Sequence, residues 1–283
     1  MVETTLFGSL VLAGGTIMEK VILRKRKINI KLYQTLSFLT ITAIMIPLLF
    51  FFWRVDAPAL EIRNVIIFGL VIVFSAVANI LTFYSIKWEK ITNIEPAKMM
   101  EPLFVILLAI VFSFFTEGLY NKSPNITVAA LVASVALIFS HIRKHHLNFN
   151  KYFVAAIFGS LFFALELVTS RLILDYYSPL SFYFIRCLSI AMISLAVFRP
   201  KLTGIGKKVR LEILAVGAIW VIYRMIIYYG YTHLGVIFTT LMIMVGPVFI
   251  YIFAWKFLKE KLDWRNIVAA VVIIGSVLYA LLA

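Results

Sequence analysis

Glu101, Glu166, Arg224 and Lys98 stand inside long apolar stretches, where a charge needs a partner, a wet cavity or a ligand. An ionisable side chain at mid-bilayer costs about 2.5–3.5 kcal/mol on insertion scales. A carboxyl group there can take up and release a proton, so Glu101 and Glu166 are candidate proton-coupling sites. Arg224 carries a permanent planar charge that forks onto carboxylates, so it can anchor an anionic ligand or clamp Glu166 or Glu101. Lys98 lies one turn before Glu101, and the two can neutralise each other as an i,i+3 pair. Pro102 cannot donate its backbone N–H and clashes with the preceding turn, which frees carbonyls beside Glu101 for a cavity. Trp220, Arg224, Ile227, Tyr228 and Tyr231 recur at helical spacing on one face. A mixed cationic and aromatic wall suits a ligand with a carboxylate and a flat or apolar body, such as an amino acid, while interhelical packing is the competing reading.

Other polar residues read more plainly. Arg186 stands close enough to one end of its apolar run to snorkel. Glu19, Lys20 and Arg171 end their runs and read as headgroup contacts. His141, His145 and His146 could chelate a metal by spacing, but Arg143 and Lys144 oppose it and no carboxylate is close, so no metal and no cofactor is expected. The dinucleotide fingerprint, the Walker loop, the nucleophile elbow and the zinc-protease motif are all absent, which argues against an enzyme and against direct ATP-driven transport.

The elements that must position these groups follow from composition. The chain has 283 residues, 63% hydrophobic and 14% charged, against about 45–50% apolar and about 25% charged in a soluble domain. Lipid must act as solvent for the excess. At about 20 residues per membrane-crossing helix, the apolar runs give ten spans, near 4–23, 32–53, 64–86, 92–115, 125–142, 152–174, 179–198, 211–232, 236–257 and 264–283. The stretch from Met225 to Trp255 contains no Lys, Arg, Asp or Glu and is too long for one crossing, so it must fold back at Thr232-His233-Leu234-Gly235. The basic cluster follows the first span rather than preceding it, the reverse of a cleavable signal.

A net charge of +14 raises the question of nucleic acid, but the basic residues sit in short runs that flank spans. No nucleic-acid partner is expected. Alternate loops collect most of the Lys and Arg, and the opposite loops hold only Arg54, Arg63 and Lys122. The positive-inside rule then places the basic loops in the cytoplasm of a plasma-membrane protein, with both termini outside. The one cysteine, Cys187, cannot form an intrachain disulfide.

The chain also matches itself. Phe7-Gly8-Ser9-Leu10 recurs as Phe158-Gly159-Ser160-Leu161, and Tyr84 followed by Pro102 recurs as Tyr229 followed by Pro247. Val128-Ala129-Ala130 recurs as Val268-Ala269-Ala270. The first-half equivalent of Arg224 is the neutral Asn79, and Pro247 is a second candidate helix break. Five spans per half is odd, so the halves enter the bilayer in opposite senses. The expected fold is an all-α integral membrane protein of two inverted five-helix repeats, residues 1–146 and 147–283. In such architectures a midplane site is exposed alternately to each side.

At Phe83-Tyr84-Ser85-Ile86-Lys87 and Glu101-Pro102-Leu103-Phe104 the sequence resembles the drug/metabolite transporter superfamily, specifically the ten-helix EamA-type exporters. The resemblance returns at Tyr229-Gly230-Tyr231-Thr232, Gly246-Pro247-Val248-Phe249 and Phe257-Leu258-Lys259-Glu260-Lys261-Leu262, and it spans essentially the whole chain. It implies a proton-coupled or facilitative carrier of small metabolites, with a cavity lined by the first, third, fourth, sixth, eighth and ninth helices.

The resulting expectation is a secondary transporter, exporting or exchanging small polar or amphipathic metabolites by alternating access, with protons as the candidate coupling ion. Its substrate-binding candidates are Asn79, Tyr84, Lys98, Glu101, Glu166, Trp220, Arg224, Tyr228 and Tyr231. A flippase for a lipid-linked substrate is the near rival, and an intramembrane enzyme the distant one. Partners are then a small molecule and the bilayer, with a monomer as the default state.

Overall fold

The computed structural model describes residues 2–25, 28–89, 97–116, 119–120, 123–141, 150–201, 206–249 and 264–282. The described residues form ten helices that span most of the chain. In chain order these are α1 (Val2–Lys20, continued by a π-helical turn Val21–Lys25), α2 (Ile30–Phe52), α3 (Ile62–Trp88), α4 (Glu101–Ser113) and α5 (Pro124–His141). The second set comprises α6 (Lys151–Arg171), α7 (Pro179–Phe198), α8 (Lys207–His233), α9 (Val236–Ile243) and α10 (Trp264–Leu282). Seven of the described helices are long and apolar enough to cross a membrane, and α4, α5 and α9 are shorter apolar helices. The chain is a multi-pass membrane protein. Phe50, Phe51, Phe114 and Phe115 are among many large apolar side chains left exposed on the outside of the bundle, where acyl chains replace water as solvent.

Caps and turns set the helix starts where the sequence changes character. Asn150 accepts hydrogen bonds from the Tyr152 and Phe153 amides at the start of α6, and Ser178 does the same for Ser181 ahead of Pro179 in α7. The expected fold-back after Met225 occurs between His233 and Val236. Gly235 takes φ 83° there, a left-handed region that a side chain would strain.

The helix neighbours follow an exchange of the two halves. α1 packs on α8 as α6 packs on α3, and α1 touches α9 as α6 touches α4. α2 meets α7, α4 meets α9, and α5 meets α10. The glycines of the repeated Phe-Gly-Ser-Leu motifs sit at tight contacts with a neighbouring helix. A Cβ on Gly8 would lie 2.8 Å from Ile226 Cγ2 of α8, and one on Gly159 would lie 2.7 Å from Thr82 Oγ1 of α3. Small residues at such contacts let apolar helices pack by dispersion, since lipid gives them no hydrophobic drive to associate. The breaks are paired as well. A turn at Met99–Met100 precedes Pro102, and a turn at Met244–Val245 precedes Pro247.

At one end of the bundle the two halves are hydrogen-bonded to each other. Val55 and Tyr177 form an antiparallel bridge, Asp56 N–H donates to Tyr176 O at 2.8 Å, and Arg54 Nη2 donates to Asp175 O at 2.6 Å. Phe182 meets Phe68 and Tyr177 edge to face beneath this clasp, and Phe68 lies tilted on Tyr177, with centroids 5.0–5.6 Å apart. Arg171, read as a headgroup contact, is instead buried beside it and pairs with Asp175 at 2.7 Å. The short 3-10 turn Leu174–Tyr176 between α6 and α7 supplies that carboxylate.

Gly159→Val forces a branched side chain into the α3–α6 contact, which overpacking puts at a cost of about 1–3 kcal/mol. Gly69→Val meets open space. Thermal unfolding of the purified protein is expected to show a clear loss for the first variant and almost none for the second.

Candidate functional site

Between the halves lies a cavity of about 270 Å³. Its charged lining is Glu19 from α1, Lys98 and Glu101 beside the α4 break, Arg186 from α7 and Arg224 from α8. Trp220, Tyr223, Ile227 and Tyr231 join Arg224 on the α8 wall, spaced by one helical turn at a time. Across from them α3 contributes Asn79, Thr82 and Phe83. Pro102 and Pro247 both border the space, so each helix break opens onto it. The expected six helices all contribute. Ser37 and Phe38 of α2, Leu137 of α5 and Tyr183 of α7 add three more walls.

Behind the wall, two guanidiniums share one carboxylate. Glu166 is fully buried, its Oε1 paired with Arg186 Nη1 and its Oε2 lying 3.2 Å from Arg224 Nη1. Tyr228 donates its hydroxyl to Oε1 at 3.1 Å, and Ser170 Oγ sits 3.5 Å from the same atom. Aromatic faces complete the surround, with the Arg186 guanidinium 4.8 Å from the Tyr183 ring centre and that of Arg224 5.9 Å from Phe163. Glu166 and Tyr228 therefore stand one layer behind the cavity and hold its cations in place. Of the two clamps open to Arg224, the one on Glu166 is the one formed.

Arg186 overturns its sequence reading. It does not snorkel: it is 2% exposed and turned inward, because α7 buries the face carrying Tyr183, Arg186, Cys187 and Ile190 while Leu188, Met192 and Val197 point outward. Glu19 is likewise no headgroup contact. It is buried, accepts from the Tyr33 hydroxyl at 3.3 Å, and has Lys98 and Trp220 as further polar neighbours. Thr16 and Leu12, one and two turns earlier, line the cavity with it, and that shared face was the available signal.

Lys98 and Glu101 both line the cavity, yet among the described residues no ion pair joins them to each other or to any other group. The break at Met99–Met100 interrupts the helical turn that an i,i+3 pair requires. Tyr84 is not on the cavity wall. It is half-buried against Tyr152, ring centres 5.2 Å apart, and its repeat partner Tyr229 stacks on His233 at 4.1 Å. His145, His146 and the Phe257–Leu262 motif lie outside the described residues.

The site is thus a charged cavity enclosed by a bundle of helices whose contacts are paired between the two halves. Residues 150–282 match the EamA-like transporter family, part of the drug/metabolite transporter superfamily and a transporter rather than an enzyme family. That family carries the ten-helix inverted-repeat fold. A solved structure described only as a crystal structure of a protein is similar over 99% of this chain and 95% of its own, with a TM-score of 0.72 at 18% identity, a likeness of fold. Comparison with curated proteins finds no match.

Glu166→Gln removes the shared carboxylate and leaves two buried guanidiniums unpaired, a class of change that costs about 3–5 kcal/mol. Glu101→Gln breaks no ion pair among the described residues. Thermal melts in one detergent are therefore expected to place Glu166→Gln well below wild type and Glu101→Gln close to it.

Proposed function

We propose that this membrane transporter is a secondary carrier, exporting or exchanging small amphipathic metabolites such as amino acids. The observation that carries the reading is the central cavity itself. Its 270 Å³ lies just under the usual range of about 300–1,000 Å³ for drug-sized ligands, a size that suits a small metabolite. Arg224 faces it as the anchor for a ligand carboxylate, Trp220 and Tyr231 offer flat contact, and Glu101 and Glu19 offer negative charge for an amino group.

The two halves, residues 1–146 and 147–283, are the units that rock about the cavity, and the broken helices α4 and α9 are their hinge-side elements. The clasp between Arg54–Asp56 and Asp175–Ser178 closes the face poor in Lys and Arg, and none of its residues lines the cavity. By the charge count that face is outside the plasma membrane, with both termini. Of the two candidate acids, Glu101 is the proton site: it lines the cavity and has no ion-pair partner among the described residues, whereas Glu166 is committed to two guanidiniums.

The test is uptake of pooled labelled amino acids and related metabolites into proteoliposomes, with and without a pH gradient, for wild type and Glu101→Gln. Gradient-driven uptake that the variant loses is the expected result. A gradient-independent flux in both proteins would remove the proton role, and no flux from any pool would overturn the carrier of small metabolites.

A further inference from the structure

Glu166, Arg186 and Arg224 carry an arithmetic that neither the helix count nor the family explains. Two permanent positive charges share one carboxylate, so the buried cluster holds one positive charge more than it neutralises. Glu166 is 0% exposed, Arg186 2% and Arg224 8%, which leaves little water to screen that excess. Tyr228 and Ser170 are neutral, and the aromatic faces of Tyr183 and Phe163 soften the charge without cancelling it. Glu101, an acid on the same cavity wall, forms no ion pair with Arg224. Stability does not require such a cluster, since buried ion triads can be replaced by packed apolar side chains at little or no cost.

We propose that Arg186, Glu166 and Arg224 form one anion subsite whose single net positive charge, set by Arg186, selects a ligand with one carboxylate over its uncharged analogue. This rests on the carrier reading and names the part of the substrate that the carrier recognises. Arg224 is the binding residue. Glu166 holds its guanidinium at the wall, and Arg186 is a positioning residue that offsets Glu166 and so leaves Arg224 free to attract an anion. Both arginines border the cavity, so the ligand's carboxylate needs no passage through packed protein to reach them.

The test is equilibrium binding of labelled phenylacetate and of neutral phenylacetamide to the full chain in lipid nanodiscs. Wild type is expected to prefer phenylacetate by roughly 10-fold or more, the worth of a charge-assisted hydrogen bond. Arg186→Gln leaves Glu166 and Arg224 neutralising each other, and the preference is expected to disappear although the remaining pair is intact. Adding Glu166→Gln to that variant restores one net positive charge, and the preference is expected to return. Arg186→Lys keeps the charge and should keep the preference. Equal binding of the two probes by wild type, or no phenylacetate binding by the folded protein, overturns the proposal. So does a folded double variant that gains nothing over Arg186→Gln, or an Arg186→Lys protein as indifferent as Arg186→Gln. Uptake of another metabolite class together with absent phenylacetate binding would leave the carrier standing and remove the anion subsite alone.

Discussion

The sharing of Glu166 by Arg186 and Arg224 is the constraint on which the centre of this protein depends. Charges in a bilayer are tolerated where they meet one another, and here three helices contribute one each: α6 the acid, α7 and α8 the bases. The contact fixes the inward faces of α7 and α8 together, and with them Tyr183, Trp220, Tyr223 and Tyr231 on the wall. It also separates two kinds of acid. One is consumed in holding the site, and the others, Glu101 and Glu19, border the space that a ligand can enter.

The scaffold around this centre is close to symmetric and the centre is not. Gly8 against α8 and Gly159 against α3 make equivalent close approaches, and the α4 and α9 breaks precede prolines at matching places. Yet Asn79 stands where the second half has Arg224, and Gly246 where the first half has Glu101. In inverted-repeat carriers generally, symmetric packing of this kind is what alternating access exploits. In the proposed carrier the asymmetric chemistry would give one ligand orientation, with Arg224 of the second half at one end and Glu101 of the first half at the other.

Helix number, the fold-back at Gly235 and the α8 wall apart from Tyr228, which stands behind it, were legible because each is written along one segment: apolar length, a charge-free run too long for one crossing, and a polar stripe at helical period. Arg186 and Glu19 were misread because distance from the end of a span says nothing about which way a side chain turns. The face that Arg186 shares with Tyr183, Cys187 and Ile190 is the buried one, and Leu188, Met192 and Val197 lie on the other. Tyr84 illustrates the opposite error, since a repeated residue marks a repeated position in the scaffold and not a place on the cavity. The Arg186–Glu166 contact joins residues of different helices, and no pattern within either helix announces it.

The most direct test of this account is a double-mutant cycle on the shared carboxylate, reading unfolding free energies of wild type, Glu166→Gln, Arg224→Gln and the double variant under one set of conditions. If the two groups hold each other in the buried centre, the double variant is destabilised less than the sum of the singles, with a coupling of about 0.5–3 kcal/mol. Strict additivity of the two losses would contradict it.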